Sequence, residues 1–180
     1  MKDVARATSA APTYFEAAGV KNETGTPYPL IDGGVFANNP SIVAYSKART
    51  MKFKNKEDFP QAKNMVIVSV GTGSKSKSYE YKKVKDWGQI GWIKPIIEIM
   101  MSGSSSTTDY HLKQIFDTLD QADKEAYYRL EPKVISADAA MDNATVDNLK
   151  KLEEDALTYV ADGKVDKQLD GIAKKLIANK

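Results

Sequence analysis

The sequence predicts an α/β fold, a partial three-layer α/β/α arrangement around a central, mostly parallel sheet. Three observations point there. Asn64-Met65-Val66-Ile67-Val68-Ser69-Val70 is a continuous apolar, β-branched run that suits a parallel strand covered on both faces. Segments with helical periodicity alternate with such runs along the chain. The 180 residues, 42% hydrophobic, are enough for one domain and too few for two. Set against about six helices, the three predicted strands make a thin sheet whose central strand lacks neighbours. The expectation is therefore that residues 1–180 form an incomplete part of a single domain.

The elements follow in order. Ala5-Arg6-Ala7-Thr8-Ser9-Ala10-Ala11 favours helix and Pro12 stops it, so the chain opens on the last two turns of a helix. Thr13-Tyr14-Phe15 is strand-like and leads into a loop holding Gly19, Gly25 and Pro27. Tyr28 to Ile31 reads as a short buried strand that ends at Asp32-Gly33-Gly34. Asn39 as cap and Pro40 at the first helical position start a helix running to about Met51, with Ile42, Tyr45 and Ala48 on one side. The central strand ends at Gly71-Thr72-Gly73, and residues 74–86 form a polar, lysine-rich loop.

Helices are expected at about Trp87–Met101 and Thr107–Leu119, with Leu112, Ile115, Phe116 and Leu119 as a core stripe. The Ser- and Thr-rich residues 102–108 between them read as a flexible loop. Ala126 to Val134 is another strand. Two amphipathic helices close the chain: one starts near Asn143 and stops before Gly163, and the other places Val165, Leu169, Ile172 and Leu176 on one face.

Composition removes several functions. With 26 basic and 24 acidic side chains there is no global field for nucleic acid, and no nucleic-acid partner is expected. The absence of cysteine excludes disulfides, thiolate metal sites and a cysteine nucleophile. A lone histidine, His111, leaves little room for triad or metal chemistry and reads as a packing residue on a helix flank. No metal or cofactor is expected. Apolar stretches such as Met65 to Val70 fall far short of the roughly 18–20 residues of a spanning helix, and no signal-peptide core follows Met1, so a soluble chain of unassigned compartment is expected.

The motifs remain ambiguous one by one. Asp32-Gly33-Gly34 is either a commonplace turn or a carboxylate presented at a strand's end with glycines that let a substrate approach. Gly71-Thr72-Gly73 fits neither phosphate-binding pattern and reads as a sheet-end turn. Residues 47–85 hold eleven Lys/Arg, with Tyr79 and Tyr81 interleaved, and read as a solvated face or a contact for an anionic lipid surface or nucleic acid. No two glycines stand four apart, so no Gly-x-Ser-x-Gly nucleophile elbow exists in these residues.

Taken together, Ala5 to Phe15, Asp32-Gly33-Gly34-Val35, Asn38-Asn39-Pro40, the strand ending in Gly71-Thr72-Gly73, Thr108 to Leu112 and Tyr128-Arg129-Leu130 closely resemble patatin-like lipid acyl hydrolases. The segment from Asp142 to Leu152 matches in the same order, so the resemblance runs over nearly the whole chain. It implies a serine–aspartate pair hydrolysing acyl esters of phospholipids or other glycerolipids, with Asp32 as the catalytic aspartate and Gly33 and Gly34 on the substrate side. It also implies that the serine belongs to the N-terminal half of the domain, that Ser9 is not the nucleophile, and that this chain by itself is inactive. A lipid or acyl-ester substrate and a peripheral membrane-surface contact are the expected partners. The alternative is a non-catalytic storage, scaffold or lipid-binding protein of the same fold.

Overall fold

In the computed structural model, which describes residues 1–54, 58–75, 78–121 and 123–178 except the side chain of Lys94, the alanine-rich opening forms helix α1 (Lys2–Thr8). Small side chains let Ala7 and Ala10 pack closely on Ala18 and Val20. Strands β1 (Ala18–Lys21) and β2 (Pro27–Leu30) form an antiparallel hairpin with Ala18 opposite Leu30. Asn22 organises its loop, its Oδ1 accepting the N–H groups of Thr24 at 3.1 Å and Thr26 at 2.8 Å.

Two expectations are corrected here. Thr13-Tyr14-Phe15 is a turn, not a strand, because Thr13 takes φ 76° in the left-handed region. The segment around Tyr28 is not buried: every residue of β2 is exposed. Pro27 and Pro29 have no N–H to donate, which confines β2 to an edge position in a two-stranded ribbon.

Beyond Asp32, a single helical turn α2 (Gly34–Ala37) precedes helix α3 (Ser41–Ala48). Pro40, not Asn39, takes the cap position of α3, so the helix starts one residue later than expected, and it ends before Met51; Asn39 Oδ1 accepts the Ser41 N–H at 3.1 Å from the turn before it. Tyr45 is buried, with Ile42 and Ala48 half-buried beside it, as the spacing predicts.

Strand β3 (Ile67–Val70) runs parallel to β4 (Tyr127–Leu130), Ile67 opposite Tyr127 and Val70 opposite Leu130. Alternation along β4 sends successive tyrosines to opposite faces. Tyr127 packs on the main core of Tyr45, Ala62, Leu112, Phe116 and Ala126, whereas Tyr128 meets the C-terminal helix. Helices therefore cover both faces of the parallel pair, the layering of an α/β/α fold. The cover of β3 is incomplete, since Val68 is 38% and Val70 72% exposed. The strand expected over 126–134 is shorter because a 3-10 turn occupies Lys124–Ala126, and Pro132 follows Leu130.

A short helix, α4 (Tyr81–Val84), lies within the expected lysine-rich loop. The two helices predicted around residues 87–119 are one, α5 (Gly88–Asp117), so residues 102–108 are helical rather than a flexible loop. Serine and threonine are only mildly unfavourable in a helix, and packing overrides that preference: Thr108 is buried, while Leu112 and Phe116 are almost fully enclosed. Helices α6 (Val146–Val160), capped by Thr145, and α7 (Gly163–Ala178) close the chain, and α7 buries Val165 and Ile172. Leu176, expected on that face, is exposed.

Candidate active site

Asp32 is held from both sides of the chain. Its N–H donates to the Ala10 carbonyl at 3.0 Å, which fastens the loop to the end of α1. Its Oδ1 accepts the Gly34 N–H at 2.6 Å. No described residue hydrogen-bonds Oδ2, and the residue is half-buried. The carboxylate is thus oriented through one oxygen and open through the other.

The glycines are there for space rather than for dihedral freedom, since Gly33 is in the ordinary helical region. A Cβ on Gly34 would lie 3.0 Å from Asp32 Oδ1, 3.4 Å from Asn38 Oδ1 and 3.7 Å from Met101 Cε. One on Gly33 would approach Thr8 Oγ1 to 3.2 Å. Side chains at either position would crowd the carboxylate or its supports. Asp32 follows β2, a strand of the antiparallel hairpin.

A broad groove of about 2050 Å³ runs over β3 and α5. Asn38 and Met101, the neighbours of Gly34, line it together with Gly71-Thr72-Gly73, but its wall stops short of Asp32. On the other side, Gly33 and Thr8 line a small apolar cavity of about 260 Å³. The chain neighbours of Asp32, Ile31 and Gly33, both line this smaller cavity.

The groove floor carries a polar chain that sequence reasoning did not find. Ser41 Oγ donates to Asn39 Oδ1 at 2.6 Å or to Ser69 Oγ at 2.7 Å. Arg129 donates to Ser69 Oγ at 2.8 Å and pairs with Glu131. Glu131 in turn accepts the Gly73 N–H at 3.0 Å. A Cβ at Gly71 would run into the Glu131 carboxylate and force it to shift, and Gly73 has φ 105°, which favours glycine. The Asn39–Ser41 turn and the Gly-Thr-Gly loop therefore belong to one hydrogen-bonded unit. The one signal in the sequence was Ser69, a polar residue inside an otherwise apolar strand.

Two further anchors shape the surroundings. Tyr127 donates to Asp109 Oδ1 at 2.8 Å, and Lys113 pairs with the other oxygen at 2.6 Å. Burial pushes the Tyr127 hydroxyl above its usual range, and the bond to Asp109 adds to this. Asp155, on α6, accepts the N–H groups of Ile135, Ser136 and Ala137 and the Ser136 hydroxyl. Burial opposes its ionisation, but these four donors outweigh burial and hold the carboxyl at about 2.

Other candidates stay apart. His111 is exposed, and its ring meets the Tyr110 ring edge-on at 5.7 Å between centroids. In the basic stretch, Lys52 pairs with Asp58 and Lys83 with Glu80, both pairs solvent-exposed; Lys56, Glu57 and Lys77 lie outside the described residues. Among the described residues no cluster of three or more acidic or histidine side chains could hold a metal, and no helix is long and apolar enough to cross a membrane.

The chain is 34% identical over 171 residues to Patatin-like protein 1 of Arabidopsis thaliana, an alignment covering 86% of this chain and 41% of that protein. It is 35% identical over 171 residues to Patatin-like protein 1 of Oryza sativa subsp. indica, with 84% and 41% covered. It is 32% identical over 164 residues to Probable inactive patatin-3-Kuras 1 of Solanum tuberosum, with 83% and 42% covered. The chain thus spans about two fifths of the length of the curated relatives it matches. No family model matches it, and neither does a solved structure. Similarity at this level over more than four fifths of the chain means that the chain belongs to the patatin-like family.

Proposed function

We propose that this chain contributes Asp32, the proton-accepting partner of a serine–aspartate lipid acyl hydrolase. The single observation that carries this reading is the Asp32 carboxylate, oriented by the Gly34 N–H through Oδ1 and open through Oδ2. A serine hydroxyl becomes an effective nucleophile when an adjacent base takes its proton. Here that base is Asp32 Oδ2. The serine oxygen attacks the acyl ester carbonyl, the alcohol leaves with the proton, and water activated by the same carboxylate releases the fatty acid. Gly33 and Gly34 keep the approach to the carboxylate clear of side chains.

The 180 residues contain no Gly-x-Ser-x-Gly, so the nucleophile comes from polypeptide outside them. A serine-directed fluorophosphonate tests this. The chain by itself is expected to remain unlabelled, and to gain a labelled partner only when a polypeptide carrying the elbow is supplied. Labelling of the 180-residue chain itself would contradict the reading.

A second reading is a non-catalytic member that keeps the fold. The similarity to a relative whose name marks it as probably inactive favours it. It predicts no labelling in either arm.

A further inference from the structure

We propose that Thr13 is a specificity-determining residue of the groove, its hydroxyl binding the hydroxylated alcohol part of an acyl ester held at Asp32. The inference deepens the hydrolase reading and rests on it for the place of the ester.

The backbone singles this residue out. Among the described residues, the non-glycine positions in the left-handed region are Thr13, at φ 76°, and Phe59, at φ 56°. A β-branched side chain is poorly suited to that region, because its branches crowd the backbone. Glycine or asparagine would form the same turn with less strain. The surroundings hold the conformation nonetheless. Tyr14 and Phe15 donate to the Ala11 carbonyl at 3.1 and 2.9 Å, and Arg6 reaches the Glu16 carbonyl at 3.3 Å. Strain that the surroundings maintain points to a use for the side chain that bears it.

The place of Thr13 gives that use. Thr13 and Tyr14 are exposed and line the groove, and no described residue hydrogen-bonds the Thr13 hydroxyl. Ala10, whose carbonyl holds the Asp32 N–H, stands three residues earlier, a span of at most about 11 Å. An ester at Asp32 meets two unlike surroundings. Ile31 opens on the small cavity, with Val4, Val20 and Leu30 in its wall, and Asn38 opens on the groove with its polar floor. The acyl chain suits the first. A hydroxylated alcohol suits the second, because a polar group leaves water without penalty only where new hydrogen-bond partners replace it. The Thr13 hydroxyl supplies such a partner, as donor and as acceptor.

Binding of the octyl ether of glycerol to the 180-residue chain tests this by calorimetry, with octyl methyl ether as the ligand that lacks hydroxyls. Thr13→Val keeps the shape and the β-branch but loses the hydroxyl. It is expected to raise Kd for the glycerol ether about three- to tenfold and to leave Kd for the methyl ether unchanged. Thr13→Ser, which keeps the hydroxyl, is expected to stay within about twofold of the parent. Thr13→Gly is expected to unfold at higher urea than the parent, since it relieves the strain, and to bind the glycerol ether as weakly as Thr13→Val. No binding of the glycerol ether by the parent, equal binding by Thr13→Val, or an equal loss for both ethers would overturn the proposal. So would a urea midpoint for Thr13→Gly at or below the parent's, because the turn would then hold no strain. Neither ether is hydrolysed, so this result does not depend on Asp32 as a base, and the two readings fail separately.

Discussion

The guanidinium of Arg129 donates to the hydroxyl of Ser69 at 2.8 Å, bridging the two parallel strands from β4 to β3 beneath the groove. The same group pairs with Glu131 and reaches Ser105 on α5 at 3.4 Å, so one side chain ties strand, loop and helix together. Arg129→Met removes these contacts and leaves a largely buried Glu131 without its cation. The expected cost is about 2–4 kcal/mol, measured by urea unfolding. Ser69→Ala should cost less, about 1 kcal/mol, because only one hydrogen-bonding group is lost.

Gly71→Ala probes the adjoining loop by overpacking instead of deletion. Its new Cβ meets the Glu131 carboxylate, which Arg129 and the Gly73 N–H hold in place. Destabilisation of about 1–3 kcal/mol is expected. Combining it with Arg129→Met should cost less than the sum, since Glu131 is then free to move away. Full additivity would show that the loop and the ion pair are independent.

Asp155 gives a pH signature. Its carboxyl is held at about 2 in the folded protein against 3.8 for the free group. A depressed folded value means that the unfolded chain binds the proton first, so the contribution is complete above about 3.8 and is lost as pH falls towards about 2. In urea unfolding, Asp155→Asn is expected to be less stable than the parent at neutral pH. The gap should narrow across that acid window. A gap that stays constant from neutral pH to about 2 would remove Asp155 as the ionised anchor of residues 135–137.

Much of this was legible in the sequence, for reasons specific to each element. The stripe Leu112, Ile115, Phe116, Leu119 was readable because its periodicity is the packing itself, and those residues do enclose the core. The helix start after Asn38-Asn39-Pro40 was readable to within one residue because its signals act on the backbone one or two residues away. The continuity of α5 was not, because Ser102 to Thr108 look like loop residues until their contacts with the rest of the chain are known. Nor was the exposure of β2, where prolines outweighed an apolar pattern. In the candidate site, the Asp32-Gly33-Gly34 turn is a local motif and is legible as such. The chain from Asn39 through Ser69 to Arg129 and Glu131 joins residues far apart in sequence, and no local pattern announces it.

The central claim is that Asp32 accepts the proton in ester hydrolysis, and one substitution tests it most directly. Asparagine keeps the shape of Asp32 and an oxygen for the Gly34 N–H but cannot serve as a base. In the protein joined with the polypeptide that carries Gly-x-Ser-x-Gly, Asp32→Asn is expected to lower kcat for a fatty acyl ester by about 10²–10⁴-fold at similar KM. Hydrolysis by Asp32→Asn at the parent's rate would contradict the account.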